Sequence, residues 1–472
     1  MWIATILFEL IVNILFTLIK KLQVQILSIF KLNSGDKRTQ TVKRNVLWSF
    51  LIKGISILVS LLLVPLTLGY VSSEVYGIWL TLSSVLHWLT FMDVGFTLGL
   101  KNRLAEALAH EDYEKGKSLV STTYFMMAVI FIPLSIFLIL ISPHINWCSF
   151  FNVNSKYEAD VLLTIQLLSI FLALQMIVNV FIAVVAAYQK VALSSLFGVI
   201  GHVCALIVIF MMTKFIPPSL SNLTFAYSLM PILVVAIFSF IFFQGKFKKT
   251  CPSIQSINTK YIKDLWNLGV KFFIIHIQMI VLYQSTNILI SNLDGPEAVT
   301  QYNIAYKVLN VVALIFTIIL SPLWPAFTDA YAKKDYHWMN KTYHQMIKLF
   351  LLLSVLITFV VIISPILYQL WVGDKVQVPF ILTVSIAIYT LIHCWDALQV
   401  MLINGIGTVQ LQTYVTLIGL ILHIPLALFL GQFIGIYGII MSMCIINLIY
   451  CSFFTTQIQK ILHKTAQGIW IK

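Results

Sequence analysis

Charge is what this chain has least of. Only 10% of its 472 residues are Asp, Glu, Lys or Arg, while 60% are apolar, too little charge to cover a soluble fold of that size. Cysteine is scarce too. The six form no Cys-x-x-Cys, and Cys148 stands alone in its connection, so neither a disulfide framework nor zinc spacing is present. No metal or cofactor is expected. Absent as well are a low-complexity tract, a loop long enough for a soluble domain, and the basic start and small-residue cleavage site of a signal peptide. What the chain does have is apolar runs of about 20 residues, the length of helix that crosses roughly 30 Å of hydrocarbon. They are too long for barrel strands and lack period-two alternation. The fold expected is therefore an all-α integral membrane protein.

Twelve spans are expected, near 45–66, 75–95, 119–142, 161–187, 191–213, 223–243, 266–292, 302–323, 346–368, 379–403, 411–430 and 434–456. They are written as a repeat. Trp48/Lys53 returns as Trp266/Lys271, Tyr76 as Tyr302, and Asp112-Tyr113 as Asp335-Tyr336. Ser142-Pro143, ending a third span, returns as Ser364-Pro365, and Ala173-Leu174-Gln175 as Ala397-Leu398-Gln399. The offsets are 218, 226, 223, 222 and 224. Any one pair recurs by chance, but five in register do not. Six spans per half bring both halves in from the same side, a parallel repeat with a path between the halves. The expected domains are an extension at 1–40 and six-helix bundles at 41–245 and 246–472. Residues 2–19 read equally as a thirteenth span or as an interfacial helix.

Basic residues give the orientation. Counting Lys348 at the very start of the ninth span with the loop before it, one side receives 24 of the 30, the other only Lys156, Lys214 and Lys375, with Lys53, Lys271 and Lys307 inside spans. Short loops this asymmetric place the basic side, with the start of the first bundle and the C-terminus, in the cytoplasm. The net charge of +13 then reflects topology and attraction to anionic membrane lipid, and no nucleic-acid site.

Charges inside spans are costly, so they mark cavities, partners or pathways. Lys53 and Lys271 occupy matching positions, where snorkelling to headgroups competes with a role in the path. Lys307 lies on the basic-poor side, against the general bias, which favours a path role. Asp93 ends the second span and Asp396 sits deep in the tenth, with His393 one turn before it. Each is a candidate for ion coupling or charge balance. Pro322 and Pro325 interrupt the end of the eighth span and mark a candidate hinge.

Val64-Pro65-Leu66-Thr67-Leu68-Gly69, Glu74-Val75-Tyr76-Gly77-Ile78-Trp79 and Asp93-Val94-Gly95 resemble the opening of Wzx-type O-antigen flippases. These belong to the polysaccharide transport family, related to the MATE exporters. Ala105-Glu106-Ala107 and Asn404-Gly405-Ile406-Gly407 fit the same pattern, and the resemblance covers roughly residues 41–460. It implies a MATE-like fold and no catalysis. The implied activity is transfer of an undecaprenyl-pyrophosphate-linked oligosaccharide, an O-antigen or capsule repeat unit, across the bacterial inner membrane by alternating access. Lys53, Lys271 and Lys307 would attract the pyrophosphate, and other polysaccharide-assembly proteins are implied partners. Two alternatives remain. A MATE-like cation-coupled exporter of small molecules would favour an acidic cavity. A membrane polymerase or ligase would need a large outer loop, and the longest, near 143–160, has no concentration of Arg, His and acids.

Overall fold

A computed structural model describes residues 37–90, 96–188, 190–263, 265–266, 285–320 and 323–471. Among these residues the regular elements are all helical. The chain divides into two compact units, one ending at Thr300 and one beginning at Gln301. The first contains α1 (Lys37–Tyr70), α2 (Ser73–Thr90), α3 (Phe96–Ala109), α4 (Tyr113–Ile141), α5 (Glu158–Ala187), α6 (Val191–Phe215) and α7 (Leu220–Gln244). Helix α8 (Pro296–Leu320) begins in it and continues into the second unit. There it is followed by α9 (Leu323–Ala332), α10 (Tyr336–Val372), α11 (Phe380–Ile406), α12 (Gln410–Ile434) and α13 (Ile436–Leu462).

Ten helices among the described residues are long and apolar enough to cross a membrane, namely α1, α4 to α8 and α10 to α13. Most of the expected span at 266–292 lies outside the described residues, though 285–294 is helical. The expected second span is α2, on which Tyr76, Ile78, Leu82, Thr81 and Ser84 are all buried, as suits an inner helix.

The repeat is visible in the two capping turns. Asp112 caps α4 by accepting from Lys115 N at 3.0 Å, and Asp335 caps α10 by accepting from Trp338 N at 3.0 Å. The residue before each cap is left-handed, Glu111 at φ 56° and Lys334 at φ 57°. Asp112 N donates to Ala107 O at 2.9 Å, as Asp335 N does to Ala330 O at 2.9 Å. Helix packing repeats as well. In the first unit α4 packs on α5, α5 on α7, α6 on α7 and α3 on α5. In the second, α10 packs on α11, α11 on α13, α12 on α13 and α9 on α11.

One expectation is corrected. Ser142-Pro143 ends α4 in a short 3-10 turn, but α10 runs through Ser364-Pro365 to Val372. Proline has no N–H to offer the carbonyl four residues back. In both places the preceding serine supplies the missing donor, Ser142 Oγ to Ile139 O at 2.9 Å and Ser364 Oγ to Val361 O at 2.8 Å. With its freed carbonyl satisfied, α10 can continue past the proline.

Candidate translocation site

Helix α8 carries a polar stripe. Asn303, Lys307, Asn310 and Thr317 recur at helical spacing and fall within about 80° of one face at 100° per residue. The first three are half-buried, whereas Ile304, Ala305, Leu309, Val312 and Phe316 on the other faces are buried. Thr317 Oγ1 returns to Leu314 O at 2.9 Å. Lys307 makes no hydrogen bond or ion pair among the described residues. The helix starts at Pro296, not near 302, so Lys307 is eleven residues from its first residue and thirteen from its last, near mid-span. That is about 16 Å from the start at 1.5 Å per residue, much deeper than the apolar run alone suggests. An ammonium at that depth is expensive against lipid and favours a polar cavity.

The second unit also buries a carboxyl group. Asp396 is 8% exposed, in the interior of α11, and its Oδ1 has no hydrogen-bond partner among the described residues. Tyr450 and Cys451 of α13 are its electrostatic neighbours. One turn earlier, His393 stacks on Tyr389 at 5.9 Å between ring centres and hydrogen-bonds Asn447. Asn447 Nδ2 also donates to Met443 O at 2.8 Å. Tyr450 reaches Thr416 O at 3.4 Å because α12 places Gly419 beside its hydroxyl, where a Cβ would overlap the ring. Further along, Ser442 Oγ donates to Ile439 O at 2.8 Å and lies 3.3 Å from His423 Nδ1. The buried His423 Nε2 has no hydrogen-bond partner among the described residues. Asp396 and Lys307 share a unit but form no ion pair with each other.

Lys53 is exposed on α1 and makes no ion pair among the described residues. On that helix Ile55 and Leu62 form the exposed apolar stripe. At 100° per residue Lys53 points about 160–180° away from them, toward the side carrying buried Thr67 and Val64. Thr67 Oγ1 lies 2.8 Å from Tyr227 Oη, and the Tyr227 ring packs on Trp79 at 4.1 Å. Asp93, Lys271 and Pro322 lie outside the described residues. Pro325 is in the first turn of α9, where its missing N–H is harmless.

Known proteins place this architecture. The polysaccharide biosynthesis protein family matches residues 42–331, and the MatE family matches residues 273–429. A Yersinia pseudotuberculosis protein named for O-antigen export is 20% identical over 367 residues, covering 75% of this chain and 81% of that protein. A Salmonella typhi protein named as an O-antigen transporter is 21% identical over 359 residues, with the same 75% and 81% coverage. Among solved structures, an inward-facing multidrug-resistance MATE transporter of the MOP superfamily superposes with a TM-score of 0.74 at 12% identity. It covers 89% of this chain and 100% of its own. At that identity the likeness establishes a MATE-like fold.

Proposed function

The chain belongs to the polysaccharide biosynthesis protein family, and from that premise we propose that it is a flippase of polysaccharide precursors in a bacterial inner membrane. Its substrate is an undecaprenyl-pyrophosphate-linked oligosaccharide, an O-antigen or capsule repeat unit, turned from the cytoplasmic to the outer leaflet. The repeats at 41–245 and 246–472 act as the two halves of an alternating-access carrier, with the basic-rich side in the cytoplasm.

The observation that carries this reading is the α8 stripe. A sugar chain and a pyrophosphate cannot cross hydrocarbon unaided, because nothing there replaces their water. Carboxamides at Asn303 and Asn310, one turn either side of Lys307, are the groups that replace water around hydroxyls. The ammonium between them suits the anionic head. An unpaired lysine at mid-span is the wrong sign for a pathway built for cationic drugs, which weakens the exporter alternative. Lys53 and Lys271 would contribute further positive charge. Asp396, buried and without a hydrogen-bond partner for Oδ1 among the described residues, has the setting of a group that alternates between a proton or small cation and none, or that balances charge. Asp93 is assigned the same kind of role, and Pro322 and Pro325 are assigned as a hinge. No step of this reading needs catalysis.

Deletion of the gene in its host tests the reading. Surface polysaccharide should be lost, and lipid-linked repeat units should accumulate on the cytoplasmic face. Normal polysaccharide with changed resistance to cationic drugs would instead establish the exporter.

A further inference from the structure

We propose that residues 246–263, the loop that leads from one repeat to the next, are an interfacial anchor that seats on anionic phospholipid headgroups at the rim of the first bundle. The inference does not depend on what the protein carries. It concerns one stretch of the first compact unit and gives it a lipid partner.

The stretch follows α7 and makes two short 3-10 turns, Lys248–Thr250 and Ile254–Ser256, before Tyr261, Ile262 and Leu265 rejoin the core. It is fixed to the first bundle at several points. Phe247 is buried against Tyr188 at 4.3 Å between ring centres, and the Thr250 hydroxyl lies 3.1 Å from that of Tyr188. Lys249 Nζ stands 4.1 Å over the centre of the Tyr113 ring. Ser253 N donates to Ser121 Oγ at 2.9 Å, and Asn258 N donates to Thr122 Oγ1 at 3.0 Å. The second repeat also folds back after its last helix, with Lys464 Nζ 4.8 Å over Tyr336, the counterpart of Tyr113. A tether that only joined two halves would need none of these bonds.

Helix α4 shows where the stretch lies. Phe125, Val129, Ile132, Ile136 and Leu140 form an exposed apolar row on it, within about 80° at 100° per residue. Thr122 belongs to that row, at the angle of Leu140, and Ser121 falls about 20° outside it. Yet both are buried, covered by the segment that bonds them. The stretch therefore crosses the outer, lipid-facing side of the bundle. Its depth follows from length. Counting about 20 residues back from Ile141, the far end of α4, puts the edge of the hydrocarbon at Thr122. Ser253 and Asn258, bonded there, lie at headgroup level.

The composition fits that level. Residues 246–263 hold five lysines and no acid, and all five lysines are exposed. Lys249 is committed to Tyr113, which leaves Lys246, Lys248, Lys260 and Lys263 for phosphate. Ile254, next to the pinned Ser253, is 87% exposed, more than any other large apolar side chain among the described residues. In water such a side chain is a liability, whereas at the boundary of headgroups and acyl chains it anchors, with lysines beside it on the anionic lipid. A protein partner would have to meet it on a face turned to water, and the depth of Ser121 and Thr122 favours lipid.

Fluorescence quenching in lipid nanodiscs tests the anchor on the full-length chain, with the parent's signal from its native cysteines subtracted. A bimane on Ile254→Cys should be quenched by phospholipid carrying a nitroxide high on its acyl chain at least threefold more than a bimane on His110→Cys. His110 is exposed in the turn before α4, outside the hydrocarbon. Both side chains are exposed, so neither substitution disturbs the core. Adding phosphatidylglycerol to phosphatidylcholine discs should raise the quenching at 254 at least 1.5-fold. Lys246→Gln, Lys248→Gln, Lys260→Gln and Lys263→Gln together should remove that rise. Equal quenching at 254 and 110 places Ile254 in water, open to a protein partner, and overturns the anchor. No response to phosphatidylglycerol, or a rise that survives the four substitutions, overturns the assignment to anionic headgroups.

Discussion

Lys307 lies on the polar face of a transmembrane helix with no ion-pair partner among the described residues, and an ammonium so placed has two physical uses. It can reach for headgroups, or it can wait for an anion. From mid-span its side chain must climb more than two turns to reach either surface, so the anion is the better partner. Lys307→Gln keeps length and polarity but loses charge, and should lower export at least tenfold at equal membrane abundance. Lys307→Arg should keep most of it. Lys53, turned away from its helix's apolar stripe, should behave alike, and Lys271→Gln should be milder. Complementation of a flippase-null strain measures all three, and full export by both Lys53→Gln and Lys307→Gln would remove them from the mechanism. Asp396→Asn should abolish any dependence of export on the ion gradient while leaving the protein folded, because the amide is isosteric. Export that responds to uncouplers as the parent does would reduce Asp396 to a structural group. Much of this site is legible in the sequence, since a charge inside an apolar run is conspicuous. Its depth is not. The α8 helix begins in Pro296-Glu297-Ala298-Val299-Thr300-Gln301, too polar to read as membrane, so the apolar run hides two turns of helix. The companions of Asp396 are harder still, since Gly419, Asn447 and Tyr450 come from other helices and no spacing announces them.

At the scale of the element, what repeats best is the least hydrophobic part. The turns around Asp112 and Asp335 match in dihedral angle and hydrogen bonding because a helix entering a membrane must first satisfy its free N–H groups. That pair was readable as Asp-Tyr in both halves. Ala173-Leu174-Gln175 and Ala397-Leu398-Gln399 match less well, for Leu174 is 41% exposed and Leu398 fully buried. Apolar triplets recur easily in apolar helices, whereas a capping aspartate is tied to one geometry. Asp112→Ala and Asp335→Ala should each cost about 1 kcal/mol, the usual effect of deleting a cap. Thermal unfolding in detergent should show the two losses adding, because the caps share no partner. A loss confined to one of them would break the structural equivalence. Gly419→Ala belongs to the same assay. It drives a methyl group into the Tyr450 hydroxyl and should cost roughly 1–3 kcal/mol, the range for overpacking.

For the whole molecule the decisive quantity is the side from which each half enters, since a parallel repeat works as a carrier of anionic lipid only if its positive loops face the compartment that supplies the substrate. The basic residues divide 24 to 3, and short loops follow that bias because translocating an ammonium against the membrane potential is unfavourable. The structure makes this testable, since Ser155, Lys248, Lys334 and Gln377 are all exposed and a soluble reagent can reach each of them. Single cysteines at Ser155 and Gln377 should therefore react with an impermeant maleimide in intact cells. Those at Lys248 and Lys334 should react only after the membrane is opened. Labelling at Lys248 from outside would invert the first half. Labelling at Lys334 alone would invert only the second half. The repeat would then be antiparallel, with its axis in the membrane plane, and rocking about a common axis along the membrane normal would no longer describe the carrier.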